Sequence, residues 1–315
     1  EAYWYENPGK DGLDQPDARW KRHFVSQRVF GESPLFEDVD GDGRPEIVSI
    51  SGTTANDKIK QWGWYAPDWK EPTKPWAFYP ITEKAEFNHY YHGEGIGDIN
   101  GDGRADLVLN EGWWEQPAKG APAGALWQKH PFVFSKDRGG AQMLITDVNG
   151  DGKNDVITAI NAHGWGLSWF EQVHTATNTV GTAGSGAVDG ITFKEHRLMG
   201  TREEEAKFGV AFSQPHALAL ADLNGDGLAD LVTGKRRWAH GPKGDIEPMA
   251  APVNYAFILR RDAKAEGGAT FTPKLIDDAS GLGTQIAAVD VNGDKVPDVL
   301  TASKLGTFVF LTKRK

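Results

Sequence analysis

Asp98-Ile99-Asn100-Gly101-Asp102-Gly103-Arg104-Ala105-Asp106 is the stretch on which the reading of this chain turns. Side-chain oxygens stand at positions 1, 3, 5 and 9 of the nine, and glycines at 4 and 6. If the backbone turns tightly there, positions 1, 3 and 5 converge on one cation. Position 7 then adds its carbonyl and position 9 a carboxylate. Hard oxygen donors in that number suit Ca2+ better than a transition metal. Gly103, at position 6, accepts the positive φ of so sharp a turn.

Four other stretches carry the pattern D-x-[DN]-G-D-[GK]-x-x-[DE]. Two are Asp38-Val39-Asp40-Gly41-Asp42-Gly43-Arg44-Pro45-Glu46 and Asp147-Val148-Asn149-Gly150-Asp151-Gly152-Lys153-Asn154-Asp155. The others are Asp222-Leu223-Asn224-Gly225-Asp226-Gly227-Leu228-Ala229-Asp230 and Asp290-Val291-Asn292-Gly293-Asp294-Lys295-Val296-Pro297-Asp298. The predicted ligands are positions 1, 3, 5, 7 and 9 of each, with Arg44, Arg104, Lys153, Leu228 and Val296 acting through their carbonyls. Lys295 stands where the other copies have glycine and should cost about 1 kcal/mol of strain, which makes the fifth site the weakest.

An EF-hand needs Glu at position 12 and flanking helices. Position 12 here is Ser49, Leu109, Thr158, Thr233 or Thr301. Each loop runs instead into a short apolar segment, such as Leu107-Val108 or Leu231-Val232, which reads as a buried strand. The formal net charge is −10, and five Ca2+ ions would cancel it.

Two more elements recur in step with the loops. An aromatic strand appears as Trp4-Tyr5-Glu6, Trp64-Tyr65, Trp113-Trp114-Glu115, Trp169-Phe170-Glu171 and, more loosely, Tyr255-Ala256-Phe257. An aromatic-x-x-His segment starts at Trp20, Trp127 and Phe193 and ends at His23, His130 and His196. Each unit therefore predicts four strands: A into the loop, B out of it, the aromatic C, and D with its histidine. Four-stranded sheets repeated around an axis make an all-β propeller. The expectation is one domain over residues 1–315 with five four-stranded blades, six being the alternative, closed by joining N-terminal and C-terminal strands. The loops resemble FG-GAP/VCBS repeats, which form calcium-binding propeller blades. That resemblance implies the fold and leaves function open, because the family includes lectins, adhesion modules and lyases.

The totals exclude several classes. There is no Cys, hence no disulfide, thiolate metal site or Cys nucleophile. Net acidity argues against a general nucleic-acid binder, and no run of 18 apolar residues is present to span a membrane. The sequence opens on Glu1 rather than Met, as after removal of a leader or trimming of the chain. Five oxygen-rich sites suit the millimolar calcium outside the cytoplasm, so an exported protein, periplasmic or extracellular, is expected.

Nine histidines remain to be placed, and His174 alone falls outside the two groups that follow. His23, His130 and His196 repeat in strand D and read as scaffold. His89, His92, His163, His216 and His240 fall in B–C or D–A connections, on the face opposite the calcium loops. His92 and His216 each lie six residues before the first Asp of a loop, so they should face each other across the funnel. Tyr91, Lys235 and Arg237 are predicted on the same face, joined by Lys58, Arg138, Gln214 and Lys304. Imidazole, phenol, guanidinium and ammonium around one mouth suit an anionic or carbonyl-bearing sugar. A neutral His or Tyr can remove a proton beside a carbonyl, or several His can hold a second metal.

Trp4-Tyr5-Glu6-Asn7-Pro8, His92-Gly93-Glu94-Gly95 and Gly234-Lys235-Arg236-Arg237-Trp238-Ala239-His240-Gly241 together resemble propeller domains related to fungal aldos-2-ulose dehydratase. That resemblance implies elimination of water from a keto-sugar. The expected function is a carbohydrate-active lyase or hydro-lyase. His92, His163, His216 and His240 are its acid–base or metal residues, and Lys235 and Arg237 its charge stabilisers. A non-catalytic sugar-binding or adhesion propeller is the alternative, and it predicts one equivalent site per blade.

Overall fold

Each acidic loop joins two antiparallel strands, as its apolar flanks require. The computed structural model describes residues 1–52, 57–122, 124–174 and 190–314. It divides into one unit of Glu1–Tyr91 with Pro117–Gln128, and another of His92–Gln116 with Lys129–Lys315.

In the first unit, β1 (Ala2–Glu6) pairs with β2 (Lys21–Ser26). There β3 (Phe30–Glu37), β4 (Glu46–Ser51), β5 (Ile59–Ala66) and β6 (Ala77–Pro80) form a sheet in that order, and β7 (Ala85–Glu86) pairs with β5. The next sheet is β8 (Glu94–Gly97), β9 (Asp106–Leu109), β10 (Gly112–Glu115) and β11 (Gln128–Pro131). It is followed by β12 (Met143–Thr146), β13 (Asp155–Ala159), β14 (Leu167–His174) and β15 (Ile191–Met199). Then come β16 (Leu218–Ala221), β17 (Asp230–Gly234), β18 (Asn254–Arg261) and β19 (Ala269–Asp277). Last are β20 (Ile286–Val289), β21 (Asp298–Ser303) and β22 (Gly306–Phe310). Strands follow chain order within the sheets, β7 on β5 excepted, and an acidic loop makes each A–B turn. The fold class is all-β, the five-bladed β-propeller.

The ninth residue of each loop shows how the turn is tied down. Asp106 is fully buried and accepts from Ile99 N and Gln116 N, both at 2.9 Å. Asp155 accepts from Val148 N at 3.0 Å and Gln172 N at 2.8 Å. Asp230 and Asp298 repeat the arrangement with Leu223 and Leu259, and with Val291 and Thr312. One carboxylate thus ties the A–B turn to strand C or the residues just after it, satisfying donors the ladder leaves unpaired.

Strands C and D are locked by a second repeated device. His23 lies flat on Trp4, His130 on Trp113 and His196 on Trp169, with ring centroids 4.0–4.4 Å apart. Nε2 of each is hydrogen-bonded to the Glu two residues after that Trp: Glu6 at 2.8 Å, Glu115 at 2.9 Å and Glu171 at 2.7 Å. The scaffold reading of these histidines therefore holds. Trp113, Trp114 and Trp169 are buried. Trp113 packs with Ile99, Met143 and Phe170, and Trp169 with Leu167, Leu218 and Phe257.

The inner strands of the second unit lie side by side. Glu94 bridges Gln142 in parallel, and a Cβ on Gly95 would come within 1.9 Å of Met143 O, so only glycine fits there. Gln142 accepts from Leu218 N at 2.8 Å and donates to Gln285 Oε1 at 2.9 Å. Lys295 has φ +66°, the left-handed conformation expected of its position. Among the described residues no helix is long and apolar enough to cross a membrane.

Candidate functional site

The register that carries His92 and His216 into their strands also brings their rings together. Glu94 N donates to Ala141 O and Ala141 N to His216 O, at 3.4 and 2.7 Å, which aligns the starts of β8, β12 and β16. The His92 and His216 ring centroids are 5.0 Å apart. His163 joins them from the connection after β13, its Nε2 3.0 Å from His92 Nε2 and its ring centroid 5.5 Å from that of His216. His163 N donates to Asn161 Oδ1 at 3.0 Å, which fixes that connection. His240 stacks on His163 at 4.7 Å and is exposed, whereas His92 and His216 are buried.

Electrostatics keep His163 neutral. Burial, then the adjacent His92 and His216 rings, push its pKa down to about 3. Neutral imidazole is the form that ligates metals. His92, His163 and His216 each bring a ring nitrogen within 4.8 Å of the others. Three nitrogen donors in one group fit a divalent transition ion such as zinc.

The surrounding residues brace this cluster. Asn110 Nδ2 donates to His92 O at 2.6 Å. Gln214, buried at φ +61°, donates from its backbone N to Gly164 O at 2.7 Å, next to His163. A buried non-glycine residue in that conformation is strain retained where the surroundings impose it. Lys235 is only 1% exposed. Its ammonium donates to Ser213 Oγ, to Gln214 Oε1 at 3.4 Å and to Ile246 O at 3.1 Å, and burial pushes its pKa down to about 8. Lys235 therefore braces the loop that follows it. Arg237 lies over the Trp238 ring at 4.5 Å, and Lys304 donates to the Trp238 carbonyl. Arg236 is the cation of this run whose charge acts on His163.

Tyr91 belongs to the first unit, where its ring meets Trp62 at 5.3 Å and Phe87 at 5.9 Å. His89 packs there on Phe30 at 4.9 Å. Glu94, which the sequence places in the His92–Gly95 motif without a role of its own, has buried carboxyl oxygens with no hydrogen bond among the described residues, and burial raises its pKa well above normal. Glu32 went unremarked, although it stands six residues before Asp38, the register of His92 and His216.

In the acidic loops the first Asp accepts from the backbone of positions 4 and 6, as in Gly41 and Gly43 to Asp38, both at 2.9 Å. Carboxylate oxygens of Asp38, Asp40 and Asp42 lie within 4.8 Å of one another, close enough to share one cation. Burial pushes Glu46, Asp106 and Asp155 up to about 7.

These loops and sheets define a five-bladed β-propeller. The FG-GAP repeat family model matches residues 215–244, which contain His216, the fourth acidic loop and the run from Lys235 to His240. Among solved structures, the V. cholerae biofilm matrix protein Bap1 is similar over 88% of this chain and 67% of its own, at 10% identity and a TM-score of 0.32. No curated protein matches the chain. The comparisons show no link to dehydratase propellers.

Proposed function

We propose that this propeller is an exported, carbohydrate-active lyase or hydro-lyase, and that His92, His163 and His216 hold a divalent transition-metal ion at its site. The observation behind it is the convergence of three imidazoles from three blades, with Nε2 of His92 and His163 3.0 Å apart. Such an ion would polarise a ketone or carboxylate oxygen of the sugar and so acidify the adjacent C–H. His240 is the exposed imidazole of the group, stacked on His163, with Nδ1 3.8 Å from the buried Asp245 carboxylate. It takes the proton as general base. Arg236 supplies fixed positive charge for the oxygen on which negative charge develops. Departure of the β-oxygen then leaves a carbon–carbon double bond. The five acidic loops bind structural Ca2+, supplied outside the cytoplasm.

Uronate oligosaccharides and keto-sugars are the substrates to try, with the ultraviolet absorbance of the unsaturated product as readout. Wild type should turn over at least one. His240→Ala should lose roughly 100-fold or more in kcat while keeping its metal. The pair His92→Ala/His216→Ala should lose both metal and turnover with the circular dichroism of the folded chain intact. Unchanged turnover in that double variant would refute the site.

A further inference from the structure

The first unit holds a cavity of about 560 Å3 that shares no residue with the imidazole cluster. Its volume is that of an ordinary small-ligand site. Among the described residues, Arg28, Lys58, Lys60 and Lys84 line it against a single carboxylate, Asp57. One carboxylate cannot balance four cations, so the cavity is positive within a chain of net charge −10.

The cationic side chains stand on a pinned frame. Lys60 is 3% exposed, and its ammonium donates to the carbonyls of Asp57 and Phe87. Phe87 N in turn donates to Lys58 O at 3.0 Å, and Lys60 pairs with Ala85 across β5 and β7. Tyr65 Oη lies 3.0 Å from Arg28 O and 2.9 Å from Ser51 Oγ, which ties the Arg28 backbone to the end of β4. Arg28, Lys58 and Lys84 are exposed, so their charges remain available to a ligand.

The rest of the lining is amphipathic. Phe78, packed on Tyr65 at 4.9 Å, gives an aromatic surface, and Ile59 is 53% exposed. Ser51 and Gln61 add hydroxyl and amide groups. A second hollow of about 250 Å3, lined by Lys58, Glu86, Phe87 and Asn88, shares Lys58 with the first. Dispersed cations, an aromatic ring and neutral hydrogen-bonding groups match a ring that carries both an anion and hydroxyls, more than they match a bare inorganic anion.

We infer that this cavity binds an acidic sugar unit, with its carboxylate or sulfate on Arg28, Lys58 and Lys84 and its ring against Phe78. It gives the protein a grip on an anionic polysaccharide independent of the imidazole site.

The test is calorimetric titration of the full chain in calcium buffer with a galacturonate trimer, a heparin-derived tetrasaccharide and neutral maltotriose. At least one acidic ligand should bind, with affinity falling about tenfold or more on going from low to moderate salt. Binding of the uronate alone identifies a carboxylate site, and binding of the sulfated chain alone a sulfate site. Lys58→Ala/Lys84→Ala, both at exposed positions and so expected to fold normally, should weaken binding about tenfold or more. His92→Ala/His216→Ala should leave it unchanged. Equal affinity for maltotriose, no binding of either acidic ligand, or insensitivity to the lysine pair would overturn the inference. So would loss of binding in the histidine pair, which would assign the ligand to the imidazole site.

Discussion

His130 and His163 are both tied to strands of the second unit, yet their neighbours give them opposite roles. His130 is sealed between the Trp113 face and the Glu115 carboxylate, whereas His163 is surrounded by other imidazoles and an arginine. His130→Ala should therefore cost about 2–3 kcal/mol in denaturant unfolding, from one stacked ring and one charge-assisted hydrogen bond, with metal content unchanged. Lys235 makes a pH prediction. Its pKa in the folded chain, about 8, lies below the ordinary value of 10.5, so its contribution to stability is present above about 10.5 and lost as pH falls through 8. The stability difference between wild type and Lys235→Met should thus move between pH 10.5 and 7, to the disadvantage of wild type at the lower pH. At this scale legibility depended on repetition. His23, His130 and His196 recur at one strand position, so their scaffold role could be read. Glu94 and Arg236 occur once each, and only packing between strands distant in sequence gives them their place.

The acidic loop is the element that organises each blade, and its ninth position belongs to the sheet as much as to any cation. Asp155→Ala strands two backbone donors, Val148 N and Gln172 N, and should cost about 2–4 kcal/mol even in saturating calcium. Lys295→Gly removes the strain of φ +66° and should stabilise the fifth loop by up to about 1 kcal/mol, measured as a rise in Tm. Strand order within a blade was legible because loop, apolar run and aromatic strand recur in one sequence. The spacing also brought His92 and His216 to one level, since equal register in the inner strands β8 and β16 means equal depth. It could not show that His163 reaches them from a B–C connection, because connection geometry depends on contacts such as Gln214 to Gly164 that leave no periodic mark.

Charge links the whole molecule to its proposed ions. Formal net charge is −10, and the loops concentrate carboxylates that burial already pushes toward neutrality. Calcium chelation should lower Tm, and the drop should be larger at low ionic strength, where repulsion among the emptied loops is least screened. An unchanged Tm would remove calcium from the account of stability while leaving the imidazole site standing. The central claim concerns that site, and the direct measurement is metal content by mass spectrometry after saturation with calcium and exposure to one equivalent of zinc. The account predicts about one zinc per wild-type chain and none above background in His92→Ala/His216→Ala. Zinc retained by the double variant, or absent from wild type, would contradict it.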